Sequence, residues 1–310
     1  MKEHKSDLSS VAVAVCTRGR PEMLRATLTS LAKLELQGID CRYIIIENND
    51  HCTVDAIVNE LADTVGAGRV TYRLEPQLGI AYARNTALET ALGMNVDALA
   101  FIDDDEIADP RWLAELLRTA NQDQLDLVGG PVGLQPAPVD ASASEKRVWR
   151  GVDARCRAIE NKGKHLAMVK QDHRITIVTN NWLVNLDIIQ RTGLRFDKTL
   201  GMSGGEDTAF FRALRCLGGK SGWAPDALVL ETLPRERLTL AYQFRRSRDQ
   251  ALARHRAKYP NPGLNTFITF LGVAIFKIVG GILRIIQSFF DSGASLVRAA
   301  RAFGAIAGMA

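Results

Sequence analysis

Cysteine and glycine patterns that define several protein classes are missing from this sequence. Its five cysteines are spread along 310 residues without a C-x-x-C pair, which argues against a disulfide scaffold or a zinc site. The turn after the first predicted strand reads CTRGRP and holds one glycine, whereas a dinucleotide-binding oxidoreductase needs G-x-G-x-x-G there. A nucleotidyltransferase also needs a glycine-rich first loop, although its metal and nucleotide chemistry keeps it as an alternative.

An export signal is absent as well, and the charge is unevenly distributed. The first ten residues, MKEHKSDLSS, lack the apolar centre of a signal peptide, so we expect a cytoplasmic protein. Residues 235–258 carry a net charge of +6 and residues 261–310 add +3, so the first 234 residues are acidic on balance. This acidic body, and a basic segment without interleaved aromatic residues, count against nucleic acid as a partner.

Predicted strands alternate with helices along the first half of the chain. Strands at VAVAV, CRYIIIE, RVTYRLE and DALAFID are separated by segments with apolar residues at helical spacing. This alternation predicts an α/β fold with a mostly parallel central sheet flanked by helices. Such sheets bind ligands beyond the carboxyl ends of their strands, where the polar clusters CTRGR, ENND and DDDE would converge.

The acidic run Asp103–Glu106 directly follows a predicted core strand, although like charges repel each other. Alternate side chains of an extended chain share one side, so Asp103 and Asp105 can face the same crevice. Mn²⁺ or Mg²⁺ typically takes one or two carboxylates together with substrate phosphates. We therefore predict a divalent cation that helps a diphosphate to leave, with a solvated acidic turn as the alternative.

A second acidic pair, Glu206 and Asp207, lies in the first turn of a helix predicted to end at Gly218. Asp207 is a candidate general base that takes a proton from an attacking hydroxyl. The alternative is an ordinary capping acid at a helix N-terminus. Gly204 and Gly205 would let a substrate approach the backbone closely.

The stretch 266–290 is the most apolar part of the chain. Positions 277, 281, 284, 288 and 291 form a narrow polar stripe along a predicted helix that is otherwise apolar. We expect this helix to lie at a membrane interface, with the basic segment upstream facing anionic head groups. Packing on the protein core with the stripe towards water, and true spanning, are the alternatives.

Five motifs in order carry a resemblance to a known family: VAVCTRGRP, IIIENND, LGIAYARNTALE, FIDDDE and GGEDTAFF. Together they resemble the family 2 inverting glycosyltransferases of the GT-A fold, especially the bacterial succinoglycan and exopolysaccharide glucosyltransferase type. The similarity covers about residues 11–235, and FRRSRDQ resembles the Arg-rich segment that follows that family's core. It implies a catalytic nucleotide-sugar-binding domain at 1–235 and a basic, apolar, helical and membrane-associated region at 236–310.

The resemblance also implies a role for each matching residue. Asp103 and Asp105 match the outer positions of the D-x-D motif that holds the metal on the diphosphate, and Asp207 matches the catalytic base. Beside these, the nucleotide-sugar site would include Thr17, Arg20, Glu47, Asn48, Arg84, Asn85 and Asp104. The acceptor side would include Glu206, which we also count as catalytic, and Asn180, Asn181, Trp182, Gly204 and Gly205.

Two positions depart from the family pattern. Glu47 and Asn48 stand where many relatives have an aspartate, which leaves open which nucleotide base the pocket prefers. Ala209 stands where the similar succinoglycan-type enzymes have a second aspartate. The resemblance implies a metal-dependent transfer of a hexose, with glucose as first candidate, from a UDP-sugar to a lipid-linked oligosaccharide. This would occur at the inner face of the cytoplasmic membrane during synthesis of a surface polysaccharide. An inactive sugar-nucleotide-binding protein at the membrane is the other alternative.

Overall fold

The computed structural model describes residues 7–200, 205–259, 264–288, 291 and 294–309, without the side chains of 253, 254, 256–258, 264–270 and 294. The strands in this part of the chain are β1 (Ser10–Thr17), β2 (Asp40–Glu47), β3 (Val70–Leu74), β4 (Ala98–Asp103), β5 (Glu106–Ala108), β6 (Leu127–Gly129), β7 (Val132–Leu134), β8 (Asn181–Asn185), β9 (Ser221–Trp223) and β10 (Val229–Glu231). The α-helices are α1 (Pro21–Leu31), α2 (Asp55–Val65), α3 (Ile80–Gly93), α4 (Trp112–Asp123), α5 (Ala143–Met168), α6 (Leu186–Thr192), α7 (Glu206–Cys216), α8 (Leu240–Lys258), α9 (Leu264–Gln287) and α10 (Ala294–Ala307).

Seven strands form the main sheet, in the order β3-β2-β1-β4-β8-β6-β9. Of these seven, only β8 runs antiparallel to its neighbours β4 and β6. The predicted mostly parallel sheet is therefore confirmed, and TNNWLV, which we assigned to the acceptor side, lies largely inside it. Strands β5, β10 and β7 form a second, smaller sheet.

The alternation of side chains along β1 gives the sheet two different faces. Val11, Val13 and Val15 face one core, which α1, α2 and α4 cover, whereas Ala12 and Ala14 face the other, which α3, α6 and α7 cover. Side chains alternate between the two faces because the period of a strand is two residues. Small side chains on the second face leave room for the alanine-rich helix α3, which brings its polar residues close to the strand ends.

The chain divides into two compact units, and their limits differ from the single boundary predicted at residue 235. The first unit comprises Met1–Gly133, Ile159–Met202 and Glu206–Thr232, and the second comprises Leu134–Ala158, Ser203–Gly205 and Leu233–Ala310. The second unit thus includes more than the region 236–310. The second unit has its own apolar cluster. Leu134 at the end of β7, Val148 and Val152 of α5 and Val297 of α10 pack together in it.

Within the second unit, α10 packs tightly against both α8 and α9. A Cβ added at Gly304 would meet the Phe244 carbonyl oxygen of α8 at 2.2 Å, and one added at Gly281 of α9 would meet the Phe303 ring at 2.7 Å. These glycines therefore allow close approach of the helices. None of the helices in the described ranges has the length and apolar character needed to cross a membrane.

Candidate active site

The acidic run lies at the carboxyl-end edge of the main sheet, between strands that end side by side. Asp103 is the last residue of β4 and is level with Cys16 near the end of β1, while Thr17 of β1 is level with Glu47 at the end of β2. Asp104 and Asp105 form the turn into β5, which begins at Glu106. The parallel arrangement therefore brings the predicted polar clusters to one edge, as expected for this class of sheet.

Asp104 is anchored to the protein from three directions. Its carboxylate accepts a hydrogen bond from the Thr17 hydroxyl at 2.7 Å and one from Arg20 Nη1 at 3.2 Å, and its carbonyl accepts one from the Thr27 hydroxyl at 3.0 Å. Arg20 Nη1 also donates to Asp105 at 3.1 Å. Thr17 and Asp104 are buried and engaged with each other, so of this group the half-exposed Arg20 is the side chain with surface left for a ligand.

Asp103 is the carboxylate of the run that remains most open, with 43% of its side chain exposed. Its nearest cation is Arg84, whose Nη2 lies 3.6 Å from Asp103 Oδ1. Loss of water on the side that faces the protein, together with the charges of Asp105, Asp104 and Glu231, raises its pKa to about 6 despite the lowering effect of Arg84. Charge of this sign and density favours a bound cation.

Glu106, the last residue of the run, is buried and supports the turn before it. Its Oε2 accepts the backbone N–H of Asp103 at 3.0 Å, and its Oε1 accepts a hydrogen bond from Asn180 Nδ2 at 3.1 Å. Burial raises its pKa well above the ordinary value, and the charges of Asp103, Asp105 and Glu231 raise it further. The sequence analysis assigned Glu106 no role of its own. Its position as the fourth acid of FIDDDE was the one feature of the sequence that could have indicated a role. Asn180, predicted on the acceptor side, is therefore a support of this turn.

Arg84 of α3 joins the end of β4 to the start of α7. It is buried, its Nη1 donates to Glu206 Oε1, and its Nη2 faces Asp103. Oε2 of Glu206 is also buried and has no hydrogen-bond partner among the described residues. This bridge brings the second predicted acidic pair to the same edge as the first, although about a hundred residues separate them in sequence.

Asp207 is the second residue of α7 and is half-buried. Its Oδ1 accepts the backbone N–H of Thr208, and Gly205 before the helix has φ +97°, a conformation that favours glycine. The helix predicted from the GGED motif is observed as α7, which ends at Cys216 and not at the predicted Gly218, whereas Gly204 lies outside the described residues. Ala209, which stands where similar succinoglycan-type enzymes have an aspartate, lies one turn into the same helix.

Glu47 and Asn48 do not offer their side chains to a nucleoside, contrary to the sequence-based expectation. Glu47 is fully buried, and its carboxylate accepts hydrogen bonds from the Thr53 N–H and hydroxyl and from the Tyr72 hydroxyl. Asn48 donates to the carbonyls of Glu75 and Gln77 and accepts the N–H of Gly79. Both residues therefore shape the loops that follow β2 and β3.

Asn85 likewise serves the framework. Its Nδ2 donates to the Phe196 carbonyl at 2.9 Å, and its Oδ1 accepts the Phe196 N–H at 2.9 Å. The side chain thereby holds the segment after α6 against α3. Both of its polar atoms are used by the Phe196 backbone, so the predicted contact with the nucleotide is not supported. Long-range pairs of this kind leave no mark in a single sequence.

Asn181 and Trp182 belong to the core, which corrects their assignment to the acceptor site. Asn181 accepts a hydrogen bond from Trp112 Nε1 and donates to the carbonyls of Pro131 and Ala227. Trp182 is 1% exposed and packs among aromatic rings, at centroid distances between 5.1 and 6.1 Å from Phe101, Phe196 and Phe210. Neither side chain has a surface on which a sugar could stack.

The carboxylates at the acidic edge could supply only some of the ligands that a divalent cation needs. In the described ranges, no three His, Cys, Asp or Glu side chains are grouped so that they could hold an ion by themselves. Asp103 and Asp105 supply two hard carboxylate groups. Loss of water is the main cause of the raised pKa of Asp103, and the charges of Asp105, Asp104 and Glu231 raise it further, so a cation would offset part of this negative charge. Hard cations of this kind keep one or two carboxylates and complete their shell with phosphate oxygens or water. The residues present therefore fit a cation that arrives with a diphosphate.

The sequence matches a known family and a curated relative. The family model described as Glycosyl transferase family 2 matches residues 10–169. The succinoglycan biosynthesis protein ExoM of Rhizobium meliloti (strain 1021) is 33% identical over 237 residues, which make up 76% of this chain and 71% of that protein. The family-model match contains four of the five motifs, from VAVCTRGRP to FIDDDE.

Solved structures share the fold over nearly the whole chain. Mannosyltransferase PcManGT from Pyrobaculum calidifontis, in complex with GDP-Man and Mn²⁺, has a TM-score of 0.59 at 14% identity, covering 94% of this chain and 85% of that chain. TarS 1-349 of S. aureus, in complex with UDP, has a TM-score of 0.53 at 12% identity, covering 96% and 89%. At these identities the similarity shows a common α/β architecture.

Proposed function

Because this chain belongs to glycosyl transferase family 2 and is a glycosyltransferase, we propose that it moves a hexose from a UDP-sugar to a hydroxyl of a lipid-linked oligosaccharide. The predicted family and GT-A fold are confirmed. One observation carries the finer proposal: the Arg84 bridge, which joins Asp103 of the acidic run to Glu206, the neighbour of Asp207. The bridge links the acidic edge that would attract a cation to the start of α7, which carries the candidate base Asp207.

Each side chain at this edge has a role in the proposed transfer. Asp103 and Asp105 would hold a divalent cation, Mn²⁺ or Mg²⁺, and its charge would stabilise the departing diphosphate. Arg20 is half-exposed beside Asp105 and can reach a phosphate oxygen of the donor. Arg84 fixes the separation between the acidic run and the start of α7. Holding donor and acceptor in line supplies much of the rate enhancement of such a displacement.

Asp207 takes the proton of the acceptor hydroxyl as that oxygen attacks the anomeric carbon. The new bond joins the acceptor oxygen to the anomeric carbon, and the bond from that carbon to the diphosphate oxygen breaks. Its electron pair leaves with the nucleoside diphosphate. The attack comes from the opposite face, so configuration inverts in one displacement without a covalent intermediate. General-base assistance of this kind contributes about 10²- to 10⁴-fold in rate.

The names of the relatives support a nucleotide-sugar donor and an exopolysaccharide product. ExoM is named for succinoglycan biosynthesis, and TarS 1-349 has also been solved with UDP-GlcNAc. PcManGT binds GDP-Man together with Mn²⁺. We therefore take UDP-glucose as the first donor to test, with UDP-GlcNAc and GDP-mannose as competitors.

Calorimetric titration of donors into the full chain tests the metal and donor proposal. We expect UDP-glucose to bind in Mn²⁺ or Mg²⁺, binding to be lost in EDTA, and Asp105→Asn to reduce affinity at least about tenfold, since one of two carboxylate groups is removed. Asp63→Asn, an exposed acid on α2, is the matched control. Binding that ignores EDTA, or no binding of any nucleotide sugar, would overturn the proposal.

A second comparison separates an enzyme from an inactive binding protein. Asp207→Asn should keep donor affinity, because Asp207 does not hold the cation, while transfer and slow donor hydrolysis fall by about 10²- to 10⁴-fold. Equal rates in wild type and Asp207→Asn would remove Asp207 as the base. Donor binding with no turnover in wild type would favour the binding protein.

A further inference from the structure

Helix α9 packs on its own unit with the face that carries its polar and small residues. The buried positions Ala274, Gly281 and Ser288 are spaced seven residues apart, and Lys277 and Arg284 lie half-buried between them. This spacing defines one face of a helix. Of the predicted polar stripe at 277, 281, 284, 288 and 291, the first four positions lie on the face turned to the protein, and Asp291 follows the end of the helix. The alternative in which the stripe meets water is therefore wrong for these four positions.

Specific contacts fix this orientation. Gly281 lies under the Phe303 ring of α10, where a Cβ would come within 2.7 Å of the ring. The Ser288 carbonyl accepts a hydrogen bond from Arg147 Nη2 of α5 at 3.2 Å, and the Ser288 hydroxyl donates to the Ile285 carbonyl at 2.6 Å. A glycine and a serine thus make the close contacts that large apolar residues make in an ordinary amphipathic helix.

The opposite face of α9 is apolar and exposed over its whole described length. Phe276 is 80% exposed and Leu283 is 61% exposed. The other exposed apolar side chains of α9 are Leu271, Val273, Ile275, Ile278, Val279, Ile282, Ile285 and Ile286. A contiguous apolar surface of this kind is rare on a protein that meets only water and marks an interaction site.

We propose that this face of α9 inserts among the acyl chains of one leaflet of an anionic membrane, with the helix axis in the plane of the interface. The polar face towards the protein keeps Lys277 and Arg284 on the side away from the acyl chains, at the level of the head groups. Interfacial helices are arranged in this way, with an apolar face sunk into the boundary between head groups and acyl chains.

Charge selects an anionic bilayer as the occupant over a second copy of the chain. Residues 236–310 contain eleven Lys and Arg against three Asp and Glu, a net charge of +8, whereas the whole chain carries +4. Arg245, Arg246 and Arg248 of α8 are exposed in the same unit. Two copies that met through this unit would oppose like charges, while a surface of anionic lipids offers the complementary sign.

The inference is independent of the proposed chemistry, because it depends on residues of the second unit alone. It also suits a lipid-linked acceptor, whose reacting sugar stays near the head groups of the same leaflet. Membrane binding should therefore persist in Asp207→Asn and in Asp105→Asn. Loss of donor binding with vesicle binding intact would count against the proposed function and leave this inference standing.

Flotation of the full chain with vesicles tests the proposal. We expect recovery with phosphatidylcholine vesicles that contain phosphatidylglycerol and weaker recovery with phosphatidylcholine alone. Phe276→Glu/Leu283→Glu should reduce binding at least about tenfold, since charged side chains are costly among acyl chains. Met168→Glu/Leu217→Glu changes two exposed apolar residues of the first unit by the same charge, and it should bind like wild type. Donor binding and circular dichroism check that both variants fold.

Single tryptophan reporters give a second readout that does not depend on loss of binding. Phe276→Trp should shift its emission to the blue with anionic vesicles and be quenched by brominated acyl chains, since its side chain would leave water. Wild-type binding in the Phe276→Glu/Leu283→Glu variant, or no shift at position 276, would overturn the proposal. A wild-type dimer in light scattering that this variant dissociates would assign the face to a second copy and would also overturn it.

Discussion

Arg84 holds two carboxylates with two different nitrogens of one planar group. Lysine keeps the charge but offers a single ammonium, so it cannot serve Glu206 and Asp103 in the same geometry. We expect Arg84→Lys to lower the transfer rate by about 10- to 100-fold, which corresponds to about 1.4–3 kcal/mol of lost stabilisation. The measurement is the rate of transfer at saturating donor.

The control for Arg84→Lys is Arg195→Lys, which changes an exposed ion pair with Glu89. Exposed pairs contribute little, so this variant should keep the wild-type rate. Adding Glu206→Gln to Arg84→Lys should cost less than the sum of the two single changes, because both remove one bridge. Additive losses would show that the two side chains act separately.

Glu47 is predicted to stabilise the fold in a pH-dependent way. Burial raises its pKa, but hydrogen bonds from Thr53 and Tyr72 outweigh burial, so the pKa falls below its ordinary value of 4.5. The ionised form is therefore stabilised by folding, and Glu47→Gln should lower the free energy of unfolding by about 1–3 kcal/mol at pH 7. Chemical denaturation at several pH values measures this.

The stability difference for Glu47→Gln should be complete above pH 4.5 and shrink as the pH falls through the lowered pKa of the folded state. Glu35→Gln, at an exposed position after α1, should show no such difference. A constant difference down to low pH would mean that packing, and not ionisation, carries the effect.

At the scale of single residues, sequence reasoning found the groups that carry charge and missed those that hold backbone. Asp103, Asp105 and Glu206 were selected because ionisable side chains at strand ends and helix starts are readable from spacing, whereas Arg84 was selected only through the family resemblance of its motif. Asn85 was selected from the same motif, yet it pairs with the backbone of a segment more than a hundred residues away. No local signal in one sequence reports such a partner.

Among the elements, the parallel strands were predictable and β8 was not. Strands β1 to β4 alternate with helices, and this alternation makes them recognisable from pattern. Strand β8 has five residues, two of them Asn, and its Trp could equally face a sugar. Its place is decided by packing, because Phe101 of β4 and Phe210 of α7 supply the rings around Trp182.

The contact of α10 with α8 gives a prediction at this scale. Cβ atoms at Gly304 and Gly308 would lie 2.2 and 2.0 Å from the carbonyl oxygens of Phe244 and Arg248. Gly304→Ala should therefore push the helices apart and destabilise the second unit by about 1–3 kcal/mol. Thermal unfolding followed by circular dichroism measures the change.

Gly272→Ala is the matched control, because Gly272 is exposed on α9 and a Cβ there would meet nothing within 4 Å. The same substitution should be neutral or slightly stabilising at that position, since alanine favours a helix more than glycine does. Equal effects at positions 304 and 272 would contradict the close packing of α10.

At the scale of the whole molecule, charge is divided between an acidic catalytic part and a basic C-terminal part. Binding to anionic vesicles should weaken as salt rises, because the screening length falls from about 10 Å at 0.1 M to about 3 Å at 1 M. Insertion of apolar side chains is not screened, so part of the binding should remain at 1 M salt. Flotation across a salt series measures both parts.

Zwitterionic vesicles provide the comparison, and binding to them should change little with salt. The net charge of +4 for the complete chain would have predicted only weak attraction. Binding to anionic vesicles that salt leaves unchanged would show that the charge of the C-terminal part does not face the lipid.

The position of the antiparallel strand also determines the order in which the chain can fold during synthesis. Among the described strands, β6 pairs with β8 and β9, both of which leave the ribosome after it. Leu127–Gly129 therefore has no neighbouring strand to pair with until Asn181–Asn185, more than fifty residues later, has been synthesised. Strands β1 to β4 have their pairing partners within residues 10–103, whereas the other half of the sheet can be completed only after residues 221–223 have been synthesised.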